Sequence, residues 1–199
     1  GFNAFVLYYT CSPKRFPTQI REVAAVMELI YKNAEEWMCD TDKVSIIGFS
    51  AGGHLAAHYS TMFDCPEVHE VFQDSKAPNA SILSYPVISA EVGKCHRGSF
   101  ENLVGHYPLT EEEMNKFSLE YCVKENTPPA FIWHTAADDA VPVYSSLAYA
   151  NALSKYKIPF ELHIFPKGWH GIATSDIQTM TANDEFIAYN HIWIEEAKK

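Results

Sequence analysis

The chain has 199 residues, 47% of them hydrophobic, which is enough apolar material for one core, and the natural reading is a single domain over residues 1–199. Its formal net charge is −10 at pH 7, with Lys and Arg scattered, which argues against nucleic acid and anionic membrane as partners because both need a cationic face. No apolar run reaches the ~20 residues of a membrane helix, and Cys11, Cys39, Cys65, Cys95 and Cys122 form no CxxC pair and are odd in number, so neither a disulfide framework nor a zinc site is indicated.

Gly1 leads straight into Phe2-Asn3-Ala4-Phe5-Val6-Leu7-Tyr8-Tyr9, a run rich in β-formers that predicts a buried strand. The first residues lack the layout of a signal peptide, and with reduced thiols the expected location is cytoplasmic, although an upstream signal would be invisible in this stretch. After a loop punctuated by Pro13 and Pro17, the residues Ile20, Val23, Ala24, Met27, Ile30, Tyr31 and Ala34 fall at helical spacing, predicting a helix from Thr18 to Trp37. Lys43 to Gly48 reads as a central strand, and Ala51 to Met62 as a helix that begins almost at once. Further strands are expected at Ala80–Leu83, Ala130–His134 and Pro159–Phe165, and helices at Pro142–Lys155 and Phe186–Ala197. Strands alternating with helices predict βαβ units, a mostly parallel sheet covered on both faces, and hence a three-layer α/β/α sandwich. Residues 89–126 break the alternation as an insertion. Within it, Thr110 followed by Glu111, Glu112 and Glu113 matches a capping box, so the acidic run reads as a helix start and not as a ligand site.

Gly48-Phe49-Ser50-Ala51-Gly52 fits G-x-S-x-G and lies between a predicted strand and a predicted helix, where that motif presents its serine on a strained turn. Both Gly48 and Gly52 are expected to be required because a Cβ at either would crowd the neighbouring strand or helix. The backbone N–H of Ala51, at the helix start, is a candidate oxyanion donor. A serine hydroxyl needs a histidine base and an acid to orient it, expected downstream in the order acid, then histidine, each after a strand. His170, between Gly168 and Gly171 in the loop after Phe165, is the candidate base. Asp138 and Asp139 both follow the Ala130–His134 strand, and spacing alone does not choose between them. His54, His58, His134 and His163 lie inside predicted elements and read as packed or surface histidines. His96 and His106, in the insertion, could border a cleft.

The segments Gly48-Phe49-Ser50-Ala51-Gly52-Gly53-His54-Leu55-Ala56, Pro128 to Thr135, Asp138 with Val141-Pro142-Val143, and Gly168-Trp169-His170-Gly171 together resemble the acetyl-esterase/lipase branch of the α/β-hydrolases, close to acetylxylan-esterase-like proteins. The resemblance implies a Ser50–His170–Asp138 triad, because in that pattern the acid stands four residues before the proline of Val-Pro. It also implies hydrolysis of small acyl esters of sugars or xylan fragments without metal or organic cofactor, on a small-molecule or oligosaccharide substrate, and is compatible with a homo-oligomer. Such enzymes carry further N-terminal strands and a His-Gly-Gly-type loop that this sequence does not match, so the resemblance implies either the C-terminal portion of a longer polypeptide or a truncated relative that has repaired its sheet. Two other readings are a serine peptidase of the oligopeptidase type and a catalytically silent binding protein that keeps the fold.

Overall fold

In a computed structural model, residues 1–176, 179 and 189–198 are described. Four short segments form the sheet: β1 (Ser45–Phe49), β2 (Ala80–Ser84), β3 (Ala130–Thr135) and β4 (Phe160–Phe165). They pair in parallel in the order β1-β2-β3-β4. Parallel pairing requires every connection to cross back over a face of the sheet. The helices are α1 (Thr18–Lys32), α2 (Ala51–Met62), α3 (Pro66–His69), α4 (Arg97–Val104), α5 (Glu111–Phe117), α6 (Tyr144–Lys155) and α7 (Trp193–Glu196), with a 3₁₀ turn at Leu119–Tyr121.

The two faces of the sheet are packed by different side chains. Leu83 and Ile132 meet Ala56 and Ala57 of α2 and Tyr149 and Leu153 of α6. Phe131, Trp133 and Phe165 meet Tyr85, Ile172 and Trp193 of α7 on the opposite side. Every residue of β3 is buried, as expected of a strand covered on both faces. The layering is therefore α/β/α, and it places the C-terminal ends of all four strands along one edge, where ligand sites of parallel sheets lie.

The strand expected at Phe2–Tyr9 does not form. Residues 1–10 carry no regular structure. Leu7 and Tyr9 pack against the cluster of α1 and α2, whereas Phe2, Val6 and Tyr8 are 89%, 77% and 93% exposed. Among the described residues β1 pairs with β2 alone, so the segment has no strand beside it to supply ladder bonds, and β-propensity without a partner does not make a strand. Helix α1 also ends earlier than its periodicity suggests. Its C-cap residue Asn33 returns its side-chain amide to the Leu29 carbonyl, and residues 33–38 continue as turns. The helix expected from Phe186 begins outside the described residues; within them Tyr189 and Asn190 and then Trp193–Glu196 are helical, with a turn between. In the insertion, Thr110 and Glu113 make both bonds of the capping box, at 3.2 Å and 2.9 Å.

His54 and His58 of α2 are buried, not at the surface. His54 Nδ1 donates to the Val87 carbonyl at 3.0 Å, its ring meets Phe100 edge-on, and His58 packs between Phe16 and Phe117. Burial pushes His54 down to about 4, against a smaller opposing effect of the Val87 bond, and burial together with His54 and Lys116 holds His58 well below its ordinary range. Between the ordinary value of 6.5 and about 4 the unfolded chain binds a proton at His54 that the folded chain refuses. Stability therefore falls as the pH falls through that window, by about 3 kcal/mol from His54 alone. Urea unfolding across this window should show the decline, and His54→Leu should reduce its slope while leaving the share due to His58; an equal slope in the variant would refute the assignment.

Candidate active site

Only one residue, Ser50, separates β1 from α2. Its backbone sits at φ 54° and ψ −119°, a region non-glycine residues rarely occupy. Three hydrogen bonds hold it there. Its N–H donates to the Ser84 carbonyl at 3.0 Å, and its own carbonyl accepts from His54 and Val87. A Cβ at Gly48 would lie 2.2 Å from the Gly52 carbonyl oxygen, so the strand can approach the helix only as glycine. The same is not true of Gly52, where a Cβ would meet nothing within 4 Å; the expectation of crowding at both flanking glycines is corrected there. The second tight approach is at Gly53, whose Cβ would meet Pro86 at 2.9 Å. Gly52 lies on the open side of the first turn of α2, while Gly53 faces the loop after β2.

The side chains from three strand ends converge on this turn. Ser50 Oγ lies 2.7 Å from His170 Nε2, and His170 Nδ1 lies 2.7 Å from Asp138 Oδ2. Asp138 follows β3, and His170 follows β4. The His170 loop is tied back to β3 by the Thr135 hydroxyl, which donates to the Gly168 carbonyl at 2.7 Å. Asp138 is all but inaccessible, with 1% of its side chain exposed. Burial would raise its carboxyl, but bonds from His134, His170, Val141 and Ala140 outweigh burial and hold it well below the usual carboxylate range. Asp139 is exposed and accepts the backbone N–H of His170, at 3.4 Å. Ala51 is the first residue of α2 and is exposed, so its N–H stands among the first-turn amides that have no partner within a helix.

Two residues at the site were not singled out by the sequence. Tyr85, just beyond β2 at φ 37°, sets its ring edge-on to His170 with centroids 5.0 Å apart, and its hydroxyl accepts from Ala173 N at 3.0 Å. Its signal was its place at the end of a strand on the same sheet edge as the other three. His134, read as a packed or surface histidine, places Nε2 3.2 Å from Asp138 Oδ2. By contrast, His96 and His106 are engaged locally, with Ser99 and Glu113.

Beside Ala51 opens a cavity of about 220 Å³, walled largely by apolar groups from Phe16, Ile20, Leu55, Phe100 and Leu103. The insertion thus borders the site through α4 and not through its histidines. Among the described residues no group of three or more His, Cys, Asp or Glu side chains could hold a metal ion, and no helix is long and apolar enough to cross a membrane.

Gly48→Ala should destabilise the protein by about 1–3 kcal/mol, since backbone must move to admit the methyl group. Gly52→Ala should leave the melting temperature within about 2 °C of the parent, the shift of a small surface change. Equal melting temperatures for the Gly48→Ala variant and the parent would contradict the packing described.

The BD-FAE family model matches residues 1–153. The chain is 42% identical over 198 residues to endo-1,4-beta-xylanase B of Butyrivibrio fibrisolvens, covering 94% of this chain and 29% of that protein. It is 32% identical over 174 residues to an acetylxylan esterase of Xylanibacter ruminicola, covering 86% of this chain and 34% of that protein. The chain thus spans about a third of the length of these curated relatives. A crystal structure of an acetyl ester-xyloside bifunctional hydrolase from Caldicellulosiruptor lactoaceticus superposes with a TM-score of 0.79 at 33% identity, over 96% of this chain and 70% of that one. With a parallel sheet, a serine on a one-residue turn and this match over more than half its length, the chain belongs to the BD-FAE family and has the α/β-hydrolase fold.

Proposed function

We propose that residues 1–199 act as one α/β-hydrolase unit that cleaves carboxylic esters with small acyl groups through an acyl-enzyme, with Ser50 as nucleophile, His170 as general base and Asp138 as its orienting acid. The observation that carries this reading is the continuous hydrogen-bonded line from Ser50 through His170 to Asp138, with 2.7 Å at each step. As Ser50 Oγ bonds to the ester carbonyl carbon, its proton passes to His170 Nε2 and the carbonyl electron pair moves onto oxygen, where the Ala51 N–H can receive it. Collapse breaks the bond to the alcohol, which leaves with the proton from His170. Water then repeats the sequence on the acyl-enzyme, releasing the acid and restoring Ser50. Throughout, Asp138 keeps its negative charge beside the imidazolium and fixes the tautomer that presents Nε2 to serine.

The small acyl group is supported by the apolar cavity beside Ala51, whose volume of about 220 Å³ falls below the ~300 Å³ lower bound of drug-sized ligand sites. An O-acetylated sugar or xylan fragment as the substrate is supported by the names of an acetylxylan esterase and an acetyl ester-xyloside hydrolase among the similar proteins.

Turnover of p-nitrophenyl esters of increasing chain length tests both parts. Acetyl should be preferred to long acyl chains, and Ser50→Ala should lower kcat by ~10⁶-fold, as loss of the nucleophile does in a serine hydrolase. Equal turnover across chain lengths would overturn the small-acyl preference, and undiminished turnover in the serine variant would overturn the mechanism.

A further inference from the structure

Behind Asp138 lies a second histidine that the hydrolytic cycle above does not use. His134 is the fifth residue of β3, and neither its side chain nor that of Asp138 reaches solvent, with 0% and 1% exposed. Its Nε2 stands 3.0 Å from the Val141 carbonyl and 3.2 Å from Asp138 Oδ2. Both neighbours are acceptors, so Nε2 carries a hydrogen. Its Nδ1 lies 2.8 Å from the hydroxyl of Ser146 on α6, which donates to it and so fixes that tautomer. The Val141 N–H in turn donates to Asp138 Oδ1 at 2.8 Å. His134 therefore closes a small ring of contacts: it reaches one carboxylate oxygen directly, and through Val141 it pins the turn that feeds the other.

We infer that His134 is a positioning residue of the site, locking the Asp138 carboxylate in the rotamer that meets His170. The geometry makes this more than packing. An apolar side chain of similar volume would fill the space between β3 and α6, but would leave the Val141 carbonyl without its donor and, among the described residues, Asp138 Oδ2 with His170 as its one polar neighbour in a dry interior. Asp138 would then be held by the Ala140 and Val141 amides on Oδ1 and by the His170 ring alone on Oδ2, with no fixed group of β3 behind Oδ2 to set its rotamer. Among the described residues, the other groups facing His170 are Ser50, the Tyr85 ring and the Asp139 carboxylate at its backbone N–H. None of them reaches Asp138 Oδ2 in place of His134.

The inference rests on the esterase reading for its kinetic consequence but not for its structural one, so two readouts are taken on the full chain. The first is the low-field proton NMR signal of the His170 Nδ1–H bonded to Asp138, which needs no ester turnover. The second is kcat and KM on p-nitrophenyl acetate. His134→Phe should broaden the signal and move it upfield, and should lower kcat ~10- to 100-fold with KM unchanged, the range seen when a group orienting a site residue is lost. His134→Gln, whose amide can place an N–H near the position of Nε2, should recover most of both. A wild-type signal that persists in His134→Phe, or a His134→Gln variant as impaired as His134→Phe, would overturn the inference. Absence of the signal from the wild type would overturn it too, because the hydrogen-bonded arrangement would then be missing. If the wild type shows the signal but hydrolyses no ester, the esterase reading fails and the NMR comparison alone decides the role of His134. Should His134→Phe not fold, Ser146→Ala decides: a weaker, upfield-shifted signal supports the assignment, and a wild-type signal overturns it.

Discussion

A single residue carries the chain from β1, which was expected to be a central strand and lies at the edge of the described sheet, into the helix that follows it, and the geometry of the site follows from that constraint. Ser50 can hold its positive φ only because Gly48 lets the strand come against the Gly52 carbonyl and Gly53 lets the helix come against Pro86. The turn in turn fixes its neighbours, since the Ser50 carbonyl anchors Val87 and its N–H is held by Ser84. The loop after β2 is thereby drawn over the serine, bringing Tyr85 to the face of His170. Strain at a site of this kind persists when the surroundings over-determine it, as these contacts do.

The second requirement is electrostatic. A carboxylate taken out of water is costly unless hydrogen bonds replace its hydration. Asp138 meets this with two backbone amides on one oxygen and two histidines on the other. These contacts come from β3, from the turn after it and from the loop after β4. The charge that would steady an imidazolium is thus kept in place by the same strand ends that deliver the serine and the base. Because the strands run parallel, their C-terminal ends share one edge, and residues far apart in sequence meet without a long loop having to be ordered for each.

Much of this arrangement is visible in the residues themselves. Strands β2, β3 and β4 and helix α2 lie close to where the apolar runs and their turn residues place them. The Ser50, Asp138 and His170 side chains are in hydrogen-bond contact; the spacing leaves Asp138 and Asp139 open, and only the family resemblance points to Asp138. What was not visible has a common physical origin. The run from Phe2 to Tyr9 has the composition of a strand, but a strand is a property of a pair, and no partner lies beside it among the described residues. Gly52 matches the motif as well as Gly48 does, yet only a three-dimensional view shows that a Cβ there meets nothing. His134 stands in a strand among apolar residues, and its spacing of four from Asp138 carries no meaning until the turn at Ala140 and Val141 folds the acid back onto it.

The central claim is that Ser50 is activated by His170 and Asp138 in this chain, and the most direct measurement is the intact mass of the protein after incubation with a fluorophosphonate, alongside Ser50→Ala. The account predicts one added phosphonyl group per wild-type chain and none on the variant. A folded wild-type protein that gains no mass, or a Ser50→Ala variant that gains the same mass, would contradict it.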